Sequence, residues 1–245
     1  MVERPFLEIK NNKKMKNIFK TLFAVLALAV MISACKKDDY FVGGTLHNAK
    51  VNMTTYDYLK SNSSKLFDTL LILVDKAGLK EKINQSGASF FAPTNYAIRN
   101  YLSYKTTLIQ VKDPTKRYTL DSLIKYDLSH FTDSINVYLI PKKVEYANMT
   151  NDGTLYATSK TGVNAVVSFE YTDDPKLGYN SNSANRPQIM YYTFLIKPLT
   201  APIVASEISA TDGTRVKVQT SGIETNNGML HVLANDHVLY FTRKK

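Results

Sequence analysis

The stretch Ser89-Phe90-Phe91-Ala92-Pro93-Thr94-Asn95-Tyr96-Ala97-Ile98 decides how this chain folds. Residues 88–92 are a short apolar run, the pattern of a buried strand. Pro93 fixes its own φ and removes a ladder donor, so the strand ends there. Thr94 stands where a hydroxyl can accept from the first free N–H groups of a helix. Behind it Ala97, Ile98, Tyr101 and Leu102 recur at helical spacing. The segment is a strand-to-helix corner. Phe90 and Phe91 point to opposite faces of the strand, so one of them is expected in the core.

Toward the amino terminus, Leu66, Phe67, Leu70, Leu71, Val74 and Ala77 form an apolar stripe. Ser63-Ser64 is the expected N-cap of that helix, Gly78 its stop, and residues 79–83 one further turn. Toward the carboxyl terminus, Asp113-Pro114 is a turn. Thr119 then caps a third helix with Leu120, Leu123, Ile124, Leu128 and Phe131 on one face, where Asp127 is a polar intruder. From Tyr138 the period changes. β-branched and aromatic runs at 163–169, 190–196, 216–218, 229–233 and 238–241 read as strands, and Asn151-Asp152-Gly153, Asp212-Gly213 and Asn227-Gly228 as hairpin turns. Residues 172–187 read as a polar loop. Helices early and strands late predict a single α+β domain with an antiparallel sheet.

The chain has 245 residues, 44% of them hydrophobic and 21% charged, which excludes wholesale disorder. Its net charge is +10, but Arg4, Lys10, Lys13, Lys14, Lys16 and Lys20 crowd the first 34 residues against only Glu3 and Glu8. The remaining excess is thinly spread, so no nucleic-acid partner is expected. A single cysteine excludes an intrachain disulfide and any multi-cysteine metal site.

The amino-terminal segment reads as an address. Residues 22–32, LFAVLALAVMI, are too short to span a bilayer but match a signal-peptide apolar core, with Lys16 and Lys20 before it. Met15 makes a better signal start than Met1, and both starts remain open. Ile32-Ser33-Ala34-Cys35 resembles the lipobox of bacterial lipoproteins. That resemblance implies cleavage after residue 34, diacylation of Cys35 by palmitate-type chains, and membrane anchoring without a transmembrane helix. Lys36-Lys37-Asp38-Asp39 resembles an export signal to the outer face of the outer membrane, which implies an outer-membrane lipoprotein exposed on the cell surface. The expected organisation is a signal peptide at 1–34, a lipidated tether at 35–53 and one folded domain at 54–245, with an insertion at about 170–215.

Two motifs at opposite ends of that domain resemble one family. The corner around Phe91, Pro93, Thr94 and Asn95 is similar to the first signature of the fasciclin domain. Asn227-Gly228-Met229-Leu230-His231-Val232-Leu233, followed by Asp236, is similar to the second. The resemblance implies about seven strands in a wedge or sandwich with several packed helices, and a role in adhesion or protein interaction. In this chain Tyr126-Asp127 stands where family members often carry a tyrosine–histidine pair, and His130 follows three residues later. Ala234-Asn235 looks like a two-residue insertion that predicts a bulge in the last hairpin.

These signature positions also have structural explanations. Asn227-Gly228 tolerates positive φ, and His231 is expected as a hydrogen-bonded core residue. No catalytic motif, cofactor site or metal-ligand spacing emerges, so a non-enzymatic protein is expected. Binding candidates are Tyr126 and His130, and Tyr171, Tyr179 and Tyr191 around the long loop, because tyrosine suits protein or sugar contacts. A glycan-binding accessory of a surface nutrient-uptake system is the alternative to the adhesion reading.

Overall fold

The computed structural model of the chain describes residues 49–182 and 185–242. The segment 22–32, Cys35 and most of the tether lie outside the described residues. Strand β1 (Ala49–Lys50) already belongs to the sheet, so the end of the segment expected as a linker is part of the fold. Val51 N–H donates to the Glu224 carbonyl at 2.8 Å, which draws this segment alongside a later strand.

Three helices follow: α1 (Thr55–Lys60), α2 (Asp68–Lys76) and α3 (Lys80–Ile83). The cap of α2 is not Ser63-Ser64. Its first N–H groups are met from 26 residues away, because the Asn95 side-chain oxygen accepts from Thr69 N–H at 2.8 Å. Asn95 Nδ2 also donates to the Lys65 carbonyl at 2.8 Å. Strand β2 (Ala88–Ala92) and helix α4 (Asn95–Gln110) form the expected corner. Thr94 holds the N-cap position, but its hydroxyl makes no cap bond and instead donates to Asn235 Oδ1 at 3.0 Å. The carboxyl-terminal segment packs over this corner and competes for the hydroxyl.

The third predicted helix is two, α5 (Leu120–Tyr126) and α6 (Leu128–Ser134), broken at Asp127. Thr119 caps α5 as expected, in a reciprocal box with Ser122. Strands β3 (Leu139–Ile140), β4 (Thr154–Ala157), β5 (Asn164–Tyr171), β6 (Gln188–Leu195), β7 (Gly213–Glu224) and β8 (Gly228–Leu233) complete the fold. Residues 239–241, expected as a strand, form a 3₁₀ turn with Tyr240 and Phe241 at positive φ.

The strands run in the order β3-β2-β8-β7-β6-β5-β4, with β1 beside β7. Leu139, at one end of that order, accepts from Ser159 N–H at 2.7 Å, just beyond β4 at the other end. The sheet therefore curls until its ends meet. It is an α+β fold with a mostly antiparallel sheet, but β1–β7 and β2–β8 pair in parallel. Both members of the β2–β8 pair are buried along their whole length, as parallel strands covered on two faces are. So Phe90 and Phe91 both enter the core, at 1% and 0% exposure, rather than one of them.

The proposed insertion at 170–215 contains β6, an interior strand paired on both sides, so it is not dispensable as a block. Its irregular parts are the loops 172–187 and 196–212, and the second packs Leu199, Ile203, Ala205 and Ile208 against Val166 and Leu195. The bulges lie in β7, between Val218 and Ile223, and not at Ala234-Asn235, which enters a turn.

Candidate functional site

The two signature segments are neighbours. In the β2–β8 pairing Ala88 faces Gly228 and Phe91 faces His231. Gly228 does not use positive φ. A Cβ there would sit 2.1 Å from the Ala88 carbonyl oxygen, so glycine is needed to let two backbones approach. Asn227 ties the hairpin to α1: its Oδ1 accepts from Thr55 N–H at 2.8 Å and its Nδ2 donates to the Thr55 hydroxyl at 3.2 Å. Pro93 is buried beside Thr94, while Asp236 is exposed in the turn after β8.

His231 is fully buried, with its ring stacked 4.7 Å from Phe91. Nδ1 accepts from Gly222 N–H at 3.2 Å, and Nε2 donates to the Val144 carbonyl at 3.1 Å. Gly222 sits in the β7 bulge at φ +75°, where a Cβ would lie 2.5 Å from the Tyr146 ring. Burial holds the His231 imidazole down at about 4, partly opposed by its bond to Val144. His237 is likewise buried and lowered to about 3, with Nε2 2.8 Å from the Tyr138 hydroxyl. Both rings are neutral structural links with no opening to a substrate.

Asp127 explains itself once α5 and α6 separate. Its carboxylate accepts from the Tyr118 hydroxyl and lies 3.6 Å from Lys105 Nζ. Tyr101 packs edge-on to Tyr118 and to Tyr240, and His130 packs against Tyr240 with ring centres 4.5 Å apart. Burial pushes the Tyr101 hydroxyl up to about 12, and Tyr118 and Tyr240 are raised chiefly by the same cause. Sequence reasoning missed Lys105, Tyr101, Tyr118 and Tyr240 as members of this cluster. The available signal was a carboxylate on an apolar stripe. Tyr126 points away at 69% exposure, with Lys125 Nζ over its ring at 5.2 Å, and His130 is exposed.

The three loop tyrosines do not share one surface. Tyr191 pairs with Ser168, three residues from Tyr171, so strand alternation places Tyr171 and Tyr191 on opposite faces of the sheet. Tyr171 is 53% exposed, with Arg186 over its ring at 5.5 Å. Tyr179 is half-buried within the loop. Tyr191 is stacked under Arg215 at 3.7 Å, and Arg215 is held 2.6 Å from the buried Glu170 carboxylate. Ser168 donates to the other Glu170 oxygen at 2.5 Å. Among the described residues no group of three or more His, Cys, Asp or Glu side chains is placed to hold a metal ion. None of the described helices is long and apolar enough to cross a membrane.

The fold and its packed histidine define an α+β domain built on a parallel pairing of two signature strands. The fasciclin domain family model matches residues 65–240, and the chain belongs to that family. A similar solved structure is that of a FAS1 domain pair from the insect cell adhesion molecule fasciclin I, at 12% identity and a TM-score of 0.37. The match covers 74% of this chain and 46% of that one, so this chain spans about half the length of the structure it resembles. No curated protein matches the chain significantly.

Proposed function

We propose that this chain is a lipid-anchored cell-envelope protein whose fasciclin domain acts as a non-catalytic adhesion or protein-interaction module. The observation that carries the reading is how the signature residues are used. Asn95, Asn227 and His231 commit their polar side-chain atoms to holding the scaffold together. Recognition is thereby left to exposed surface such as Tyr126 and Tyr171. The anchor is Cys35, whose thiol becomes a thioether to a diacylglycerol, with cleavage behind Ala34 then freeing its amino group for a further acyl chain. Several acyl chains on one residue hold a protein stably at a membrane. The acidic pair Asp38-Asp39 supports an outer-membrane location facing the cell surface.

Metabolic labelling with a fatty-acid probe tests the anchor. The parent should be labelled and sediment with membranes, whereas Cys35→Ala should be unlabelled. A labelled Cys35→Ala protein overturns the assignment. Cross-linking capture from intact cells with residues 43–245 tests the interaction role. The second reading, a glycan-binding accessory of a nutrient-uptake system, is favoured by the exposed Tyr171 ring beside a long polar loop. Retention on a glycan array that Tyr171→Ala abolishes would select it.

A further inference from the structure

Lys105 is a cation held between two aromatic rings and a carboxylate. Tyr101 and Lys105 lie one turn apart on α4, so their side chains share a face. Lys105 Nζ is 6.0 Å from the centre of the Tyr101 ring, 5.1 Å from that of Tyr118 and 3.6 Å from the Asp127 carboxylate. Among the described residues five other cations lie over tyrosine rings, each over a single ring, so Lys105 alone is shared by two rings and a carboxylate. The walls around it are fixed. Thr106 ties Tyr118 to α4: its hydroxyl accepts from Tyr118 N–H at 3.0 Å and donates to the Tyr118 carbonyl at 3.3 Å. The Tyr118 hydroxyl donates to Asp127, whose own N–H donates to the Leu123 carbonyl at 2.9 Å. The occupant is not fixed. The Lys105 side chain is 32% exposed, sits on a flexible four-carbon stem, and its 3.6 Å approach to Asp127 is longer than a hydrogen bond.

We propose that Tyr101, Tyr118 and Asp127 form a receptor for a primary ammonium, that Lys105 fills it in the free protein, and that a lysine side chain of a partner protein displaces Lys105 on binding. The inference rests on the interaction reading and adds the chemistry that the partner presents. Ring faces attract a cation, and a carboxylate accepts from ammonium N–H groups, which a quaternary ammonium lacks. An open groove of about 400 Å³ reaches both Lys105 and Tyr118. Leu108 and Ile109 wall it, and the methylene stem of an incoming lysine can lie along them. Lys112 and the Asp113-paired Lys116 also line the groove. Lys112 follows Lys105 by seven residues, about 10 Å along the helix, which is about one screening length at 0.1 M salt. Its repulsion of an ammonium at the Lys105 position is therefore largely screened. Exchange is close to balanced, because one partly exposed lysine–carboxylate contact replaces another. The parent's affinity is lowered by the fraction of molecules in which Lys105 has swung out.

The test uses residues 43–245, a separate compact unit that contains the whole described core. The probes are Nα-acetyl-lysine amide, its uncharged Nε-acetylated form, and glycine amide, whose ammonium has no stem. Tyrosine-ring NMR shifts at about 0.1 M salt read the binding. Lys105→Met and Lys105→Ala empty the receptor. Each should bind the lysine probe at least about tenfold more tightly than the parent, the gain expected if Lys105 fills the receptor in about nine molecules of ten or more. The Tyr101 and Tyr118 resonances should move. The Nε-acetylated probe should not bind, and glycine amide should bind more weakly than the lysine probe. Adding Asp127→Asn to Lys105→Met should remove the gain. No gain in either Lys105 variant, equal binding of the Nε-acetylated probe or of glycine amide, or a gain that survives Asp127→Asn overturns the proposal. Failure of the domain to capture any protein from intact cells would instead overturn the interaction reading, so the two failures are read by separate measurements.

Discussion

Phe91 and His231 sit on adjacent strands and stack on one another, so a motif at residue 91 and one at residue 231 are a single piece of core. Phe91 also packs 4.6 Å from the Tyr192 ring. Removing either phenylalanine of the corner leaves a cavity between strands that cannot collapse freely. Phe90→Ala and Phe91→Ala should each cost about 3–5 kcal/mol in urea unfolding. Thr94→Val keeps the methyl group and loses only the bond to Asn235, so it should cost about 1 kcal/mol. Unchanged midpoints in both phenylalanine variants would remove this corner from the core.

At the scale of elements, the β2–β8 pairing is the most constrained contact in the fold. A Cβ on residue 228 meets the Ala88 carbonyl oxygen, which is backbone and cannot swing aside. Gly228→Ala should therefore lower stability by more than about 3 kcal/mol, well beyond an ordinary point change. A thermal melt within a degree or two of the parent would contradict that. The loop 172–187 is the opposite case. Its neck is closed by Thr172 N–H donating to the Pro187 carbonyl at 3.0 Å, so the ends already lie where a tight turn would leave them. Replacing the loop by a short Gly-Asn hairpin should leave the melting temperature nearly parental, because loop length alters closure entropy only slowly. A large drop would mean that the loop packs on the body of the domain.

For the whole molecule, the two buried imidazoles couple folding to pH. Free histidine takes up its proton near pH 6.5, while His231 and His237 in the fold are held down to about 4 and about 3. Folded affinity for protons is thus lower than unfolded affinity, and protonation favours the unfolded chain. Their contribution is complete above about pH 6.5 and is lost as pH falls, until about 4 for His231 and about 3 for His237. At pH 4.5 each should cost on the order of 2–3 kcal/mol relative to pH 7.5. Urea unfolding at the two values checks this, and His237→Gln should remove about half of the difference, leaving the share of His231. Level stability across the range would contradict the burial of neutral rings.

How much was legible in the sequence follows the range of the forces involved. The strand at 88–92, the proline stop, the helix behind it and the Thr119 cap depend on neighbours a few residues apart, and all four stand where local pattern put them. So do the polar character of 172–187 and the strand-rich second half. The family, too, could be read from two short motifs. Long-range competition decided the rest. Asn95 displaced Ser63-Ser64 as the cap of α2, Asn235 claimed the Thr94 hydroxyl, and Asp127 broke a helix in order to meet Tyr118 and Lys105. Strand periodicity says which residues alternate, but not that Tyr171 and Tyr191 fall on opposite faces, since that depends on register. Nor does it say that β2 lies parallel to β8, because no turn joins them. The sequence by itself determined local elements and family. The tertiary structure alone decided which distant groups satisfy one another's hydrogen bonds, because a buried polar atom takes whichever partner the packed chain brings within 3 Å or so.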